Sequence, residues 1–165
     1  PRWRAGGMAP GLLLTGQGGA GKATIGYELN GIVSGREMPN AFVDLDALYA
    51  QWPASSKWNA DLMFENLARL WPNYVAHGAT HLVLAHVIED RGDELPRYEA
   101  AVPGAQITIV RLRAPLGLRR ERLLGRMPPG PSLDWHLYRT AELESILDAS
   151  GPEDFTVDNG EAPAA

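Results

Sequence analysis

The sequence predicts an α/β three-layer sandwich built around a mostly parallel sheet. Three observations carry this reading. Five short apolar runs, at residues 11–15, 41–45, 81–88, 106–112 and 155–157, are continuous rather than alternating, the pattern of strands covered on both faces. Segments with apolar residues at helical spacing lie between the runs. A glycine cluster stands at the junction of the first run and the first helical segment. The 165 residues suit one domain spanning 1–165, and 45% hydrophobic with 21% charged residues is an ordinary globular balance.

Taken in order, residues 11–15 (GLLLT) end at the glycines. Residues 22–33 place Ile25, Leu29, Ile32 and Val33 at helical spacing before Ser34 and Gly35 stop the helix. Pro39 and Asn40 introduce the second run (AFVDL). Residues 59–77 carry Leu62, Met63, Leu67, Leu70 and Trp71 on one face, and Pro72 is expected to kink that helix or begin a new turn. The third run (HLVLAHVI) is the longest, and the short helix expected over residues 92–101 is interrupted by Pro96. The fourth run (QITIVRL) is the most β-branched, and two helices follow it. Residues 115–126 are basic with Leu116, Leu123 and Leu124 as the apolar side, and residues 135–149 repeat Leu137, Leu143, Ile146 and Leu147. The last run (FTV) is the shortest. Residues 52–58 (WPASSKW) and 126–132 (RMPPGPS) are rich in structure breakers and are expected to be mobile.

Composition excludes several function classes. With no cysteine, disulfide frameworks, thiolate zinc sites and cysteine nucleophiles are ruled out. A net charge of −5 argues against nucleic acid or an anionic membrane surface as partner. No segment approaches the roughly 18 uninterrupted apolar residues of a membrane span, and the three-leucine run near the start is too short for a signal peptide. The expected compartment is therefore the cytoplasm. Residues 1–8, beginning at Pro1, are expected to be a tag remnant, disordered, or preceded by an upstream start. The sequence does not speak to oligomeric state. Of fifteen basic residues only Lys22 and Lys57 are lysines, which makes each worth inspecting.

Lys22 closes the segment GQGGAGK, directly after the first run and before the first helix. This is the phosphate-binding pattern G-x-x-x-x-G-K in its structural context. Gly16, Gly18, Gly19, Ala20 and Gly21 would let the backbone wrap a phosphate chain. The helix start adds its positive dipole end, and Lys22 would reach the outer phosphates. ATP is the expected nucleotide. The next position departs from the pattern: Ala23 stands where a Ser or Thr hydroxyl would coordinate Mg²⁺. Thr24 is rotated by about 100° along the helix and cannot simply substitute; likeness to phosphate-binding-loop proteins implies that its hydroxyl meets the α-phosphate instead. Mg²⁺ would then rest on water, nucleotide oxygens and carboxylates elsewhere.

Two carboxylates end the second run. In a strand Asp44 and Asp46 point to one side, and strand carboxyl ends line the ligand crevice in this architecture. Asp44 can hold a metal-bound water and Asp46 can accept a proton from an attacking hydroxyl. A capping role for Asp46 in a short helix through Leu48 and Tyr49 is the structural alternative.

The loop, the two aspartates and the basic helix after the fourth run resemble the small P-loop kinases, a group that includes chloramphenicol phosphotransferase and the adenylylsulfate, shikimate, gluconate and zeta-toxin kinases. FVDLDALYAQWP looks most like the chloramphenicol phosphotransferase stretch, where the residue matching Asp46 activates the acceptor hydroxyl. The resemblance covers most of residues 11–160 and implies a five-stranded parallel sheet ordered 2-3-1-4-5. It also implies a basic lid, over about residues 117–134. Arg119, Arg122 and Arg126 share one helical face. As lid arginines, Arg126 and then Arg122 would act on the transferring phosphoryl group, and Arg119 would contact the nucleotide. Arg120 belongs to the same cluster.

Further candidates are His86, Glu89, Asp90 and Arg91 near the crevice, Trp52, Trp58 and Trp135 as acceptor-pocket walls, and the segment from Asp158 to Gly160 beside the nucleotide base. His77 and His81 lack metal-ligand company. The combined expectation is an ATP- and Mg²⁺-dependent kinase acting on a hydroxyl of a small molecule: an antibiotic, sugar, nucleoside or pathway intermediate. A non-catalytic nucleotide-binding module, marked by Ala23, is the alternative. A nucleotide hydrolase is less favoured because the third run presents His86 where a hydrolase would have an aspartate.

Overall fold

Five strands, β1 (Ala9–Thr15), β2 (Asn40–Asp44), β3 (His81–Ala85), β4 (Ala105–Arg113) and β5 (Phe155–Asp158), pair in parallel as one sheet ordered β2-β3-β1-β4-β5. The computed structural model describes residues 9–160, so the expectation for residues 1–8 lies outside the described residues. β1 is central, with Leu13 paired to Leu84 of β3 and to Ile109 of β4. Apolar side chains point both ways from it, as the continuous run GLLL requires.

Helices α1 (Lys22–Gly35), α2 (Ala60–Ala76), α3 (Arg91–Ala101), α4 (Leu116–Arg126) and α5 (Pro131–Ser150) cover the sheet. Met63, Leu67 and Trp71 of α2 and Tyr98 of α3 join Leu13, Leu82, Leu84 and Ile109 in one buried cluster. α1 packs on β2 and β3, so closely that a Cβ on Gly26 would fall 2.2 Å from the Phe42 ring. α2 and α3 run through Pro72 and Pro96 without ending there.

The boundary differences have local causes. β3 ends at Ala85, short of the expected Ile88, because the Ile88 amide takes the Thr15 hydroxyl (3.0 Å) in place of a strand carbonyl. β2 ends at Asp44, and the chain turns into a short 3₁₀ segment, Leu45–Leu48, that Asp44 itself caps. α5 starts four residues earlier than expected, with Pro131 at the first helical position, where its missing N–H costs nothing. The stretch expected as a lid is thus two packed helices joined by residues 127–130.

Among the described residues, no helix is long and apolar enough to cross a membrane.

Candidate active site

The loop from Gly16 to Lys22 is shaped by what its carbonyls do. Gly16 O and Gln17 O accept from Lys22 Nζ (2.8 and 3.2 Å), Gly18 O from the Thr140 hydroxyl (2.7 Å), Gly19 O from Arg122 (3.1 Å) and Ala20 O from Asn159 Nδ2 (2.9 Å). With the carbonyls held from α1, α4, α5 and the segment after β5, the amides are what the loop offers an anion. Gly19, at φ 81°, shows why glycine is required: a Cβ there would lie 2.6 Å from the Arg119 carbonyl. α1 begins with no side-chain cap and no acidic residue in its first turn, which leaves its positive end open to a phosphate.

A cavity of about 820 Å³ opens from this loop. Gly18, Gly19, Gly21, Lys22, Ala23 and Thr24 line it, while Gly16 and Ala20 are buried. Asp44, Asp46, Tyr49, His86, Glu89, Asp90, Trp58 and Trp135 line the same cavity. Asp44 and Asp46 do share it, although Asp46 stands on the 3₁₀ turn rather than the strand. Asp44 Oδ1 accepts the Asp46 amide (3.2 Å). Asp46 Oδ1 accepts the Tyr49 hydroxyl (3.0 Å) and lies 3.2 Å from His86 Nδ1.

The charges bear on each other. Burial pulls the Lys22 ammonium below its ordinary value, opposed by Asp46 and Asp44. Burial also pushes the Asp44 carboxyl up. For Asp46 burial acts upward, but the hydrogen bond and charge of His86, with Lys22 and Tyr49, outweigh it and bring the group to about 2. Because this folded value lies below the unfolded one, near about 3.9, Asp46 contributes stability that is complete above about pH 4 and is lost as pH falls through about 2. Its side chain is 63% exposed, so the contribution is small. Denaturant titrations of wild type and Asp46→Asn are expected to converge as pH falls from about 4 towards 2.

Two arginine expectations are corrected. Arg119 is fully buried, donating to Ala114 O (2.9 Å), Thr140 O (2.7 Å) and Oγ1 (3.0 Å), and Glu144 (2.7 Å), so it braces α4 on α5 behind the loop and does not meet a nucleotide. Arg122 spends its guanidinium on Gly19 O and Asn159 O (both 3.1 Å) and does not line the cavity. Arg126 does line it. Arg91 turns away to Pro152 O and Asp154, and Trp52 is 90% exposed outside the cavity. Tyr49, Arg97 and Arg139 are lining residues the sequence did not single out. Tyr49 could have been found, standing three residues from Asp46 on a helical turn. The two arginines come from distant helices and carry no local signal.

No known family model and no curated protein sequence matches the chain. Solved structures do. A shikimate kinase from Acinetobacter baumannii in complex with shikimate aligns at TM-score 0.56 and 16% identity, over 97% of this chain and 89% of that one. An APS kinase from Mycobacterium tuberculosis in complex with AMPPNP and APS gives 0.56 and 18%, over 94% and 91%. This is the P-loop kinase fold. A gluconokinase from Sinorhizobium meliloti, at TM-score 0.58 and 18% identity, covers 94% of this chain with 86% of its own. The shared P-loop kinase fold agrees with the sheet order and with the resemblance carried by the loop.

Among the described residues, no three His, Asp or Glu side chains gather as a metal-binding group. Asp44 nonetheless fits a water-mediated Mg²⁺, since only its Oδ1 is engaged and it lines the same cavity as Ala23.

Proposed function

We propose that the chain is an ATP-dependent phosphotransferase that phosphorylates a hydroxyl group of a small molecule. The observation that carries this is that one cavity is lined both by the glycine-rich loop with Lys22 and by Asp44 and Asp46, whose charges act on Lys22. A loop that only held nucleotide would have no need of a carboxylate fixed by Tyr49 and His86 in the same cavity.

In this reading the loop amides and the α1 N-terminus bind the phosphate chain, and Lys22 swings from Gly16 O and Gln17 O to the outer phosphates. Asp46 accepts the acceptor's proton as its oxygen attacks the terminal phosphorus and ADP leaves. Tyr49 and His86 hold the Asp46 carboxylate in place. Arg126 offsets charge on the transferring group. Mg²⁺, when bound, would neutralise phosphate charge, with Asp44 holding it through water. Asp46 is ionised at every pH above about 4, so its protonation produces no acid limb in the rate profile there.

Ala23→Ser tests the metal side of the proposal. Serine is nearly isosteric and tolerable in the first helical turn, so the fold should be unchanged. Mg·ATP affinity by calorimetry is expected to rise by about three- to tenfold, and Asp44→Asn is expected to cost less affinity in the Ala23→Ser background than alone. Additive effects would remove Asp44 as a metal-holding residue. Tight ADP binding with no alcohol-dependent turnover would instead favour a non-catalytic nucleotide-binding module.

A further inference from the structure

We propose that two copies of this chain pair across a two-fold axis, each setting its α1 into a slot that the other leaves open on the sheet. The inference is independent of the phosphotransferase reading.

The sheet is covered unevenly. On one face Leu13, Leu84 and Ile109 are buried with residues of α2 and α3, and Asp148 of α5 meets Arg111 of that face (2.7 Å). On the opposite face the register sets Phe42, Val83, Leu12 and Thr108 side by side, with Leu14, Val110 and Phe155 in the next row. α1 packs on the β2 and β3 end of this second face. Tyr27 meets the Phe42 ring edge-on, and Asn40 of β2 hydrogen-bonds Asn30 and Ser34. With those residues on the β2 side, the helical spacing turns Ile25, Leu29 and Ile32 towards β1 and β4. Beyond them the face is open. Ile32 is 54% exposed, Phe155 64% and Val157 46%, and Leu12, Val110 and Leu29 are only half-buried.

The result is a slot with the flank of α1 as its wall and β1, β4 and β5 as its floor. Three strands span about 10 Å, the width of one helix. Wall and floor are apolar and uncharged, and an open patch of that kind marks an interaction surface. Residues 1–8 and 161–165 are too few to form a helix like the fourteen-residue α1, so the occupant is a helix of another molecule. A second α1 fits. Between Thr24 and Gly35 it carries one charge, Glu28, and its outward side includes Gly31 and Gly35, where a Cβ would meet nothing within 4 Å. That side can lie close against a flat strand surface. A two-fold axis beside α1 sets Ile25, Leu29 and Ile32 of the two copies against each other, antiparallel, and carries each helix over β4 and β5 of the other. With α1 about 21 Å long and 10 Å wide, two seated helices bury on the order of 1,000 Å², the size a specific interface needs.

Sedimentation velocity on the full chain from about 1 to 100 μM is expected to show a species of twice 17.9 kDa at the upper end. Ile32→Glu and Phe155→Glu should each raise the dimer Kd by at least about 100-fold, because each buries a carboxylate against apolar groups. Both positions are exposed within one copy, so the far-UV circular dichroism of the variants should match wild type. Leu124→Glu replaces a similarly exposed leucine on α4, outside the slot, and should leave the dimer intact. A 17.9 kDa species at every concentration would overturn the proposal and leave the slot to a helix of a different protein. A dimer unmoved by both slot substitutions, one that Leu124→Glu breaks as readily, or assembly beyond two copies would overturn it as well.

Discussion

Asp46→Asn is expected to lower alcohol-dependent ADP release by about 10²–10⁴-fold, with AMPPNP affinity changed by less than about twofold. The substitution keeps the size of the side chain and an oxygen able to accept from Tyr49, but it removes the group that takes the hydroxyl proton. Asp46 makes no hydrogen bond to the loop, so removing its charge acts on nucleotide binding only through Lys22, which stays in place. The melting temperature should move little at neutral pH, because the side chain is largely exposed and its contact with His86 is screened by solvent. Steady-state ADP release with and without an added alcohol acceptor, beside calorimetry with AMPPNP, reads both quantities. Equal losses in turnover and nucleotide affinity would make Asp46 a loop-supporting residue instead.

The second large effect belongs to Lys22. Lys22→Met is expected to weaken ATP binding by at least about tenfold, which is about 1.4 kcal/mol, with a small change in melting temperature. The methionine keeps the apolar stem and removes the ammonium. Two hydrogen bonds to Gly16 O and Gln17 O are lost, but so is a buried cation whose desolvation already opposes its charged form. These changes act in opposite directions on folding, whereas only the loss acts on phosphate binding. Calorimetric titration with ATP and a thermal melt on the same preparation separate the two. Unchanged ATP affinity in a folded variant would remove the phosphate-loop reading.

What the sequence made legible divides by how local the cause is. The loop from Gly16 to Lys22 could be read because strand end, glycines, lysine and helix start are contiguous, and only the loop's own backbone decides its shape. The strand order followed from the resemblance that this loop carries. Arg119 and Arg122 could not be read. A basic stripe at three- and four-residue spacing looks the same whether it faces solvent, a nucleotide or another helix. Its fate here was set by Thr140 and Glu144 of α5 and by Asn159 beyond β5, partners that are 21 to 37 residues away in the chain. Asp46 was found for a partly wrong local reason. The strand stops at Asp44, and the shared orientation of the two carboxylates comes from a capped 3₁₀ turn.

A crystal structure of the chain with AMPPNP bears most directly on the central claim that nucleotide and acceptor chemistry meet in one cavity. The account predicts the phosphate chain along the amides of Gly18, Gly19 and Gly21 to Ala23, with the terminal phosphate between Lys22 Nζ and the Asp46 carboxylate and Arg126 turned towards it. A nucleotide bound with its terminal phosphate directed away from Asp46, or bound outside the loop, would contradict it.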